Sequence, residues 1–167
     1  MIRLGCLTGL PVVLDGRTIG HIEQAALTPD GHALRGVTVR HGLGMARWVD
    51  EKDIAIIGAV AVIVRSKPVK PPRDACYSLG PVWDTAGLPL GYVTDACLCP
   101  GTRRIHALEI SLGPLESLRL GRFLVRDYTV TPQNAAPARV MIPCGCALEH
   151  IPSGRMPYRC TAQEVIL

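Results

Sequence analysis

The chain has 167 residues, a net charge of +4 and a hydrophobic fraction of 48%. That fraction is ample for small hydrophobic cores, and because only seven residues are aromatic, those cores must be filled mainly by Val, Ile, Leu and Ala. The small and scattered basic excess lacks the one-sided positive footprint of a typical nucleic-acid-binding domain. Seventeen glycines and fourteen prolines are spread along the sequence, which favours short strands and turns over long helices.

The first predicted strand is Pro11–Leu14, which ends in the turn pair Asp15-Gly16. Thr18–Leu27 is the second, and its imperfect alternation of apolar residues predicts a bulge near Gly20. The remaining strands predicted in this half are Leu34–Arg40, Arg47–Asp50, Asp53–Ile57 and Ala59–Val64. Five or six short strands with frequent turns predict a small β-barrel, whose closure would leave no unpaired edge.

The same plan recurs at an offset of 71 residues, without a gap, over Gly9–Gly42 and Gly80–Gly113. Seven positions are identical, namely Gly9/Gly80, Gly16/Gly87, Gly20/Gly91, Ala25/Ala96, Leu27/Leu98, Pro29/Pro100 and Gly42/Gly113. Shared glycines indicate one backbone path used twice, because glycine is retained where φ is positive or backbones approach closely. A period this long predicts two domains rather than a solenoid.

One turn of the repeat differs in chemistry between its two copies. Thr28-Pro29-Asp30-Gly31 has proline second and glycine last, which predicts a type I turn. Its counterpart Cys99-Pro100-Gly101-Thr102 has Pro-Gly at the two central positions, which predicts a type II turn.

The predicted architecture is therefore all-β, with two tandem small barrels and an irregular C-terminal tail. We place the first barrel at residues 1–66, a proline-rich linker at 67–74, the second barrel at 75–146 and the tail at 147–167. The longest apolar run, 54–64, is shorter than the roughly 20 residues of a membrane-spanning helix. No secretory signal is predicted at the start of the sequence. We expect a soluble cytoplasmic protein whose cysteines are reduced.

The turn and strand pattern resembles the PRC-barrel family. The residues that carry the resemblance are Gly9, Pro11-Val12-Val13, Asp15-Gly16, Ile19-Gly20, Ile22-Glu23, Gly36-Val37, Val39, Trp48-Val49-Asp50 and Asp53-Ile54. That family includes the cytoplasmic domain of the photosynthetic reaction-centre H subunit, the C-terminal domain of a ribosome maturation factor and small sporulation-associated bacterial proteins. The resemblance implies a closed β-barrel that serves as a scaffold or interaction module, not as an enzyme. We expect no cofactor, with zinc as the alternative considered below. It covers residues 1–66 well and 75–143 more weakly.

Two Cys-x-Cys pairs are the sharpest chemical feature of the sequence. Cys97 and Cys99 fall at the end of a strand, and Cys144 and Cys146 fall just past the last strand of the second barrel. If the four thiolates converge, they are candidate ligands of a tetrahedral zinc ion. Structural zinc sites usually have wider cysteine spacing, and free cysteine is also a good small core residue. A redox pair is a further alternative, although neither pair is predicted at the start of a helix.

The predicted function is a non-enzymatic protein-interaction module, with Trp48 and Trp83 as candidate anchors, since tryptophan is favoured at interfaces. Core packing is the other interpretation of each tryptophan. The first alternative function is ribosome or RNA binding through Arg35, Arg40, Arg47, Arg103 and Arg104, which would depend strongly on salt. The second is a zinc- or redox-responsive module that uses the paired cysteines.

Overall fold

The computed structural model describes residues 1–73, 79–113, 121–131 and 137–151. Within these residues the regular structure consists of β-strands and two short 3-10 helices, so the predicted all-β class is confirmed. The strands of the first half are β1 (Ile2–Arg3), β2 (Pro11–Leu14), β3 (Arg17–Leu27), β4 (Leu34–Arg40), β5 (Arg47–Asp50), β6 (Ile54–Ile57) and β7 (Val62–Val64). Those of the second half are β8 (Leu79–Asp84), β9 (Pro89–Leu98), β10 (Ile105–Ser111), β11 (Arg122–Val125), β12 (Thr129–Thr131), β13 (Ala138–Ile142) and β14 (Glu149–Ile151). The 3-10 helices are Leu4–Leu7 and Glu51–Asp53. The predicted tail beyond residue 151 lies outside the described residues.

The strands form two sheets that share one pairing scheme. The first has the order β5-β4-β3-β2-β7-β6, and the second has the order β11-β10-β9-β8-β13-β12, with β14 added beyond β11 and β1 added beside β9. In each sheet one pair is parallel, β2 with β7 and β8 with β13, and the other neighbours are antiparallel. A parallel pair at the same place in both sheets indicates that the chain follows the same path twice.

The predicted closure of each barrel is wrong for the described residues, because the hydrogen-bonded order of each sheet is open. In the first half, the helix Glu51–Asp53 carries the chain around a corner between β5 and β6 instead of folding it back into a pair. The free edge of β5 is covered by the linker, where Trp48 and Val69 exchange two backbone hydrogen bonds of 2.8 Å. Strand β14 covers β11 in the same way. Covering an edge with another segment is a common alternative to closure.

The bulge predicted near Gly20 is confirmed. The register between β2 and β3 shifts after the Val12–Gly20 pair, which leaves Ile19 as an extra residue. Strand β9 repeats this bulge after its Val82–Gly91 pair. Both glycines have positive φ, +154° and +142°, a range that side chains on L-residues rarely adopt.

The gapless form of the repeat is wrong in the first strand of each half. Pro11 pairs with His21 in one sheet, and Pro81 pairs with Tyr92 in the other. The two prolines are thus 70 residues apart, whereas their partners His21 and Tyr92 are 71 residues apart. The hairpin turn of the second half is therefore one residue longer. Gly9 and Gly80 consequently do not occupy equivalent positions. Between β3–β4 and β9–β10 the offset of 71 holds at every paired position, including both register shifts.

The two sheets meet at a seam between the β3–β4 turn and the β9–β10 turn. Ala33 forms an antiparallel bridge with Arg104, its own equivalent at the 71-residue offset. Two backbone hydrogen bonds of 2.9 Å flank this bridge, from Leu34 N–H to the Arg103 carbonyl and from Ile105 N–H to the His32 carbonyl. Replacing each residue by its equivalent in the other half turns one of these bonds into the other. The contact therefore has the local two-fold symmetry of an isologous dimer interface.

Arg103 links the β9–β10 turn of the second half to the first half across the seam. Its φ is +57°, its N–H donates to the Cys99 carbonyl at 2.7 Å, and Gly101 is not among the glycines with positive φ. The predicted type II turn is therefore wrong, because that turn requires positive φ at the glycine. The left-handed residue is instead the arginine, whose guanidinium bonds to the Glu51 carboxylate at 2.5 Å and to the Ile54 carbonyl.

The first-half turn makes the reciprocal contact. Gly31 N–H donates to the Thr28 carbonyl at 2.8 Å, and Asp30 is not among the residues with positive φ, so the turn fits the predicted type I and not type II. The buried Tyr128 hydroxyl donates to the Gly31 carbonyl at 3.0 Å, and the His32 ring stacks on the Tyr128 ring at 4.7 Å. Each turn thus docks against the segment that precedes the edge hairpin of the other half.

The N-terminal segment also joins the two halves. Strand β1 pairs with β9, with Ile2 opposite Leu98 and Arg3 opposite Cys97. Gly5 N–H then donates to the Asp95 carboxylate at 3.0 Å. Most buried apolar residues of both sheets form one cluster, apart from two small separate clusters, so the two halves share a main core.

Replacement of Gly91 with alanine tests the shared bulge. A Cβ at this position would lie 2.0 Å from the Ser111 carbonyl oxygen, at a φ of +142°. We expect Gly91→Ala to lower the free energy of unfolding by about 2 to 4 kcal/mol through strain and steric overlap. Gly101→Ala is the matched control, since no atom lies within 4 Å of its added Cβ. Urea unfolding monitored by circular dichroism measures both, and equal stability of the two variants would contradict the expectation.

Removal of the Tyr128 hydroxyl tests the seam. We expect Tyr128→Phe to cost about 1 to 2 kcal/mol, because the buried Gly31 carbonyl loses its donor. The control is Tyr92→Phe, whose side chain is exposed, and which we expect to leave the unfolding free energy within about 0.5 kcal/mol. A Tyr128→Phe variant as stable as the control in urea would show that this bond does not stabilise the seam.

Candidate functional site

Glu109 on β10 is the most deeply buried charged residue among those described, with 0% of its surface exposed. Its carboxylate accepts hydrogen bonds from Arg3 and, at 2.5 Å, from Arg122. The Thr94 hydroxyl lies 3.3 Å from the same carboxylate. Arg3 also lies 3.8 Å from the Asp95 carboxylate. Two cations and a hydroxyl therefore occupy the hydrogen-bonding positions of one buried acid.

The surroundings of Glu109 keep it ionised. Burial by itself would raise the pKa of this carboxyl, but the hydrogen bonds and positive charges of Arg3 and Arg122 outweigh burial and hold the pKa below its ordinary value. An acid saturated in this way is poorly placed to exchange protons with a substrate. The arrangement is that of a clamp, which ties the N-terminal segment to the outer face of the second sheet.

Sequence reasoning missed this cluster. The available signal was a glutamate between the apolar residues Leu108 and Ile110, at the position where the first half has Thr38. Thr38 is also buried, so both halves have a buried polar residue at this equivalent strand position. The partner Arg3 is 106 residues away along the chain and follows from no local pattern.

Cys97 and Cys99 have different environments. Cys97 is buried in a small cluster with Ala107, Leu124 and Ile151. Burial, together with the negative charges of Asp95 and Glu109, raises the pKa of its thiol to about 11. Cys99 lies just past β9 and is only partly buried, and a hydrogen bond with Thr102 lowers the pKa of its thiol. Cys97 is thus a packing residue, while Cys99 is the more reactive of the two.

The second pair lies in the segment after β13. Cys144 is exposed, and Cys146 is partly buried, with its sulfur 3.9 Å from the Asp127 carbonyl oxygen. Both are free thiols. In the part of the chain that the structure describes, no three His, Cys, Asp or Glu side chains are grouped in a way that could hold a metal ion. The structure therefore does not bring the four predicted zinc ligands together.

The two tryptophans differ in their access to a partner. Trp48 is only 3% exposed and packs in a cluster with Ala26, and a Cβ on Gly36 would lie 2.4 Å from its ring. Trp48 is therefore a buried packing residue, not an exposed interface anchor. Trp83 is partly buried, and the Arg139 guanidinium lies 5.4 Å from the centre of its ring, so its face is engaged in a cation–π contact.

The five candidate arginines are not equivalent either. Arg103 is used within the seam, and Arg40 donates to the Glu23 carboxylate at 2.6 and 3.0 Å. Arg35 is partly buried, whereas Arg47 and Arg104 are exposed. At least two of the five charges, those of Arg40 and Arg103, are therefore already paired inside the molecule.

Arg40 has a second role, because it braces the β4–β5 loop. Its guanidinium donates to the Gly44 carbonyl at 3.0 Å, and Gly44 N–H donates to the His41 carbonyl at 3.0 Å to close a turn. Gly42 has a φ of +53° within that turn. The result is that Leu43, at the tip, is fully exposed, and Met45 is 85% exposed. The loop presents these apolar side chains in a fixed position.

Beside this loop lies a concave surface that we call the linker groove. It consists of an open hollow of about 580 Å³ and a neighbouring hollow of about 320 Å³, which share Met45 and Arg47. The larger hollow is lined by Met45, Ala46, Arg47, Lys70 and Pro71. The smaller is lined by Ile19, Val39, His41, Gly44, Met45, Arg47 and Pro68. Exposed apolar residues next to a concavity are a recognised mark of an interaction site.

The position of the groove follows from the path of the linker. The N–H and the carbonyl of Val69 both form hydrogen bonds with the Trp48 backbone. The proline-rich segment therefore runs along β5 and forms one wall of the groove. The β4–β5 loop forms the other wall. Sequence reasoning identified Arg47 and the linker separately, but it did not predict that they line one surface.

Comparison with known proteins gives no match, either to a protein-family model or to a curated protein. Among the described residues, no helix has the length and apolar character that a membrane crossing requires.

The clamp around Glu109 predicts a specific dependence of stability on pH. Because the pKa of Glu109 is lowered in the folded state, its ion pairs stabilise the fold above the ordinary carboxyl range, and this stabilisation is lost as the pH falls through the folded-state pKa. We expect Glu109→Gln to cost about 3 kcal/mol at neutral pH, because removing one partner of a buried pair leaves its cations uncompensated. The difference from wild type should shrink toward zero in acid.

The control for this experiment is Glu149→Gln. Glu149 pairs with Arg126 at 2.9 Å, but both side chains are more than half exposed, and exposed pairs contribute roughly 0 to 1 kcal/mol. Chemical denaturation across a pH series measures the three proteins. A Glu109→Gln deficit that stays constant down to strongly acid pH would contradict the clamp.

Proposed function

We propose that the protein is a non-enzymatic, cytoplasmic protein-interaction module of the PRC-barrel type. The observation that carries this proposal is the braced β4–β5 loop, which holds Leu43 and Met45 in water beside the linker groove. Burial of apolar surface by a partner would contribute about 25 cal/mol for each Å² removed from water. A loop fixed in the exposed conformation also loses little conformational freedom when a partner covers it.

The interior of the molecule supports a role without catalysis. The most buried acid, Glu109, is saturated by its own cations, and the pKa of the buried Cys97 thiol is raised. Neither group has the geometry of a base or nucleophile that faces a cavity. The PRC-type assignment depends on the sequence pattern. The common strand order of the two sheets supports one unit used twice, although the sheets are more open than the barrel that the resemblance implies.

The RNA alternative has weaker support. Arg40 and Arg103 already bond to carboxylates inside the molecule, so phosphate binding through them would break internal ion pairs. Filter binding with RNA across a salt series remains the direct test, since phosphate contacts give a steep salt dependence.

Site-specific photocrosslinking tests the proposed surface. A photoreactive amino acid at position 43 should capture a protein partner in an extract of the producing cell, because Leu43 is exposed in the loop between His41 and Gly44, which line the linker groove. The same amino acid at position 88 is the control, since Leu88 is also an exposed leucine in a turn, at 61% exposure, but lies in the other half. Equal labelling from both positions, or no product from position 43, would overturn the proposed function.

A further inference from the structure

The linker groove has a one-sided charge. The described residues of its two walls, 41–47 and 67–73, contain five basic residues and no acidic residue, the basic ones being His41, Arg47, Lys67, Lys70 and Arg73. The last linker residue, Asp74, lies outside the described residues. Glu23 lies near the β4–β5 loop, but its carboxylate is paired with Arg40, which also bonds to Gly44. Glu51 is paired with Arg103. The walls of the groove are therefore electropositive, although the whole chain carries only a mild excess of +4.

The larger hollow of the groove has two exposed cations, Arg47 and Lys70. Among the described residues, Arg47 and Lys70 take part in no ion pair or side-chain hydrogen bond, and both are exposed. They line the larger hollow together with the apolar Met45, Ala46 and Pro71. Met45 is suited to contact side chains of different shapes, because methionine is flexible and polarisable. The larger hollow is thus an apolar surface flanked by the two positive charges of Arg47 and Lys70, which form no ion pair among the described residues.

The backbone of the linker limits how an occupant can bind. Val69 directs its N–H and its carbonyl toward Trp48, and Pro68, Pro71 and Pro72 have no N–H to donate. An extended peptide therefore cannot add as a strand along this edge by a regular ladder of hydrogen bonds. Recognition must come from side chains that enter the hollow and from charge.

From this geometry we propose that the linker groove binds an acidic segment of a partner protein, in which an apolar side chain fills the larger hollow and flanking carboxylates pair with Arg47 and Lys70. The inference rests on the proposed function and adds the chemistry of the partner. Electrostatic complementarity of this kind mainly sets specificity and association rate.

Two other polyanions fit the groove less well. The segments 41–47 and 67–73 contain no Phe, Tyr or Trp, so single-stranded RNA would find only the His41 ring in place of the several aromatic side chains on which successive bases stack. A membrane surface is usually met by a broad apolar face with aromatic anchors, whereas the apolar seat here is recessed in a hollow.

Peptide selection on the full-length chain tests the proposal. A random peptide library displayed on phage would be selected on immobilised wild-type protein at physiological salt, and the enriched peptides measured by fluorescence anisotropy. We expect enrichment in Asp and Glu around one large apolar residue. The double variant Arg47→Glu/Lys70→Glu should weaken binding at least tenfold, and added salt should weaken binding to wild type.

The matched control is Arg17→Glu/Arg104→Glu, which changes the net charge equally at two exposed arginines outside the groove. It should retain wild-type affinity. Peptides without acidic enrichment, or equal losses in both double variants, would overturn the inference. So would groove-dependent binding of poly(U) RNA, or of phosphatidylcholine–phosphatidylserine vesicles, without acidic peptide binding. If position 43 crosslinks to a protein but selection yields no acidic peptides, the acidic partner is refuted while the proposed function stands.

Discussion

The structure depends on the pair of backbone hydrogen bonds at the seam, from Leu34 to Arg103 and from Ile105 to His32. These bonds are exchanged by the 71-residue offset, so the two halves meet through the same surface in the manner of a symmetric dimer. Arg103 and Tyr128 then secure the contact from opposite sides. Because most of the buried apolar residues form one cluster across both sheets, neither half buries its main core independently of the other. A chain whose halves are each near the lower size limit for a stable domain gains its core in this way.

The symmetry of the frame makes the differences between the halves informative. At one register the first half has Thr38 and the second has Glu109, and only the second is closed by Arg3 from the N-terminus. On the same outer face, Trp48 opposite Thr38 is replaced by Leu124 opposite Glu109. One half thus fills this face with an indole ring, while the other fills it with a charge cluster and a buried thiol. The same backbone therefore supports a structural clamp in the second half and leaves the first half free to form a different surface.

That surface arises where the chain passes from the first half to the second. The linker satisfies the edge of β5 through Val69, and its prolines discourage further strand pairing on the outer side. The turn closed by Gly44 and braced by Arg40 places apolar side chains opposite the linker. Edge protection and partner recognition are thus two consequences of one segment. The remaining basic residues of the groove are available because the molecule uses other arginines for its internal ion pairs.

The sequence alone determined the all-β class, most strand positions, the bulge at Gly20 and the 71-residue offset across β3–β4 and β9–β10. These features follow from local rules of alternation, turn chemistry and glycine geometry, which act within a few residues. It did not determine the one-residue slip at Pro81, the open sheets or the turn at Arg103, because each depends on what a distant segment contacts. The Glu109 clamp joins residues 106 positions apart, and the linker groove joins a loop to a linker. Only the tertiary structure brings such residues together, since pairing between segments far apart along the chain leaves no periodic trace in the sequence.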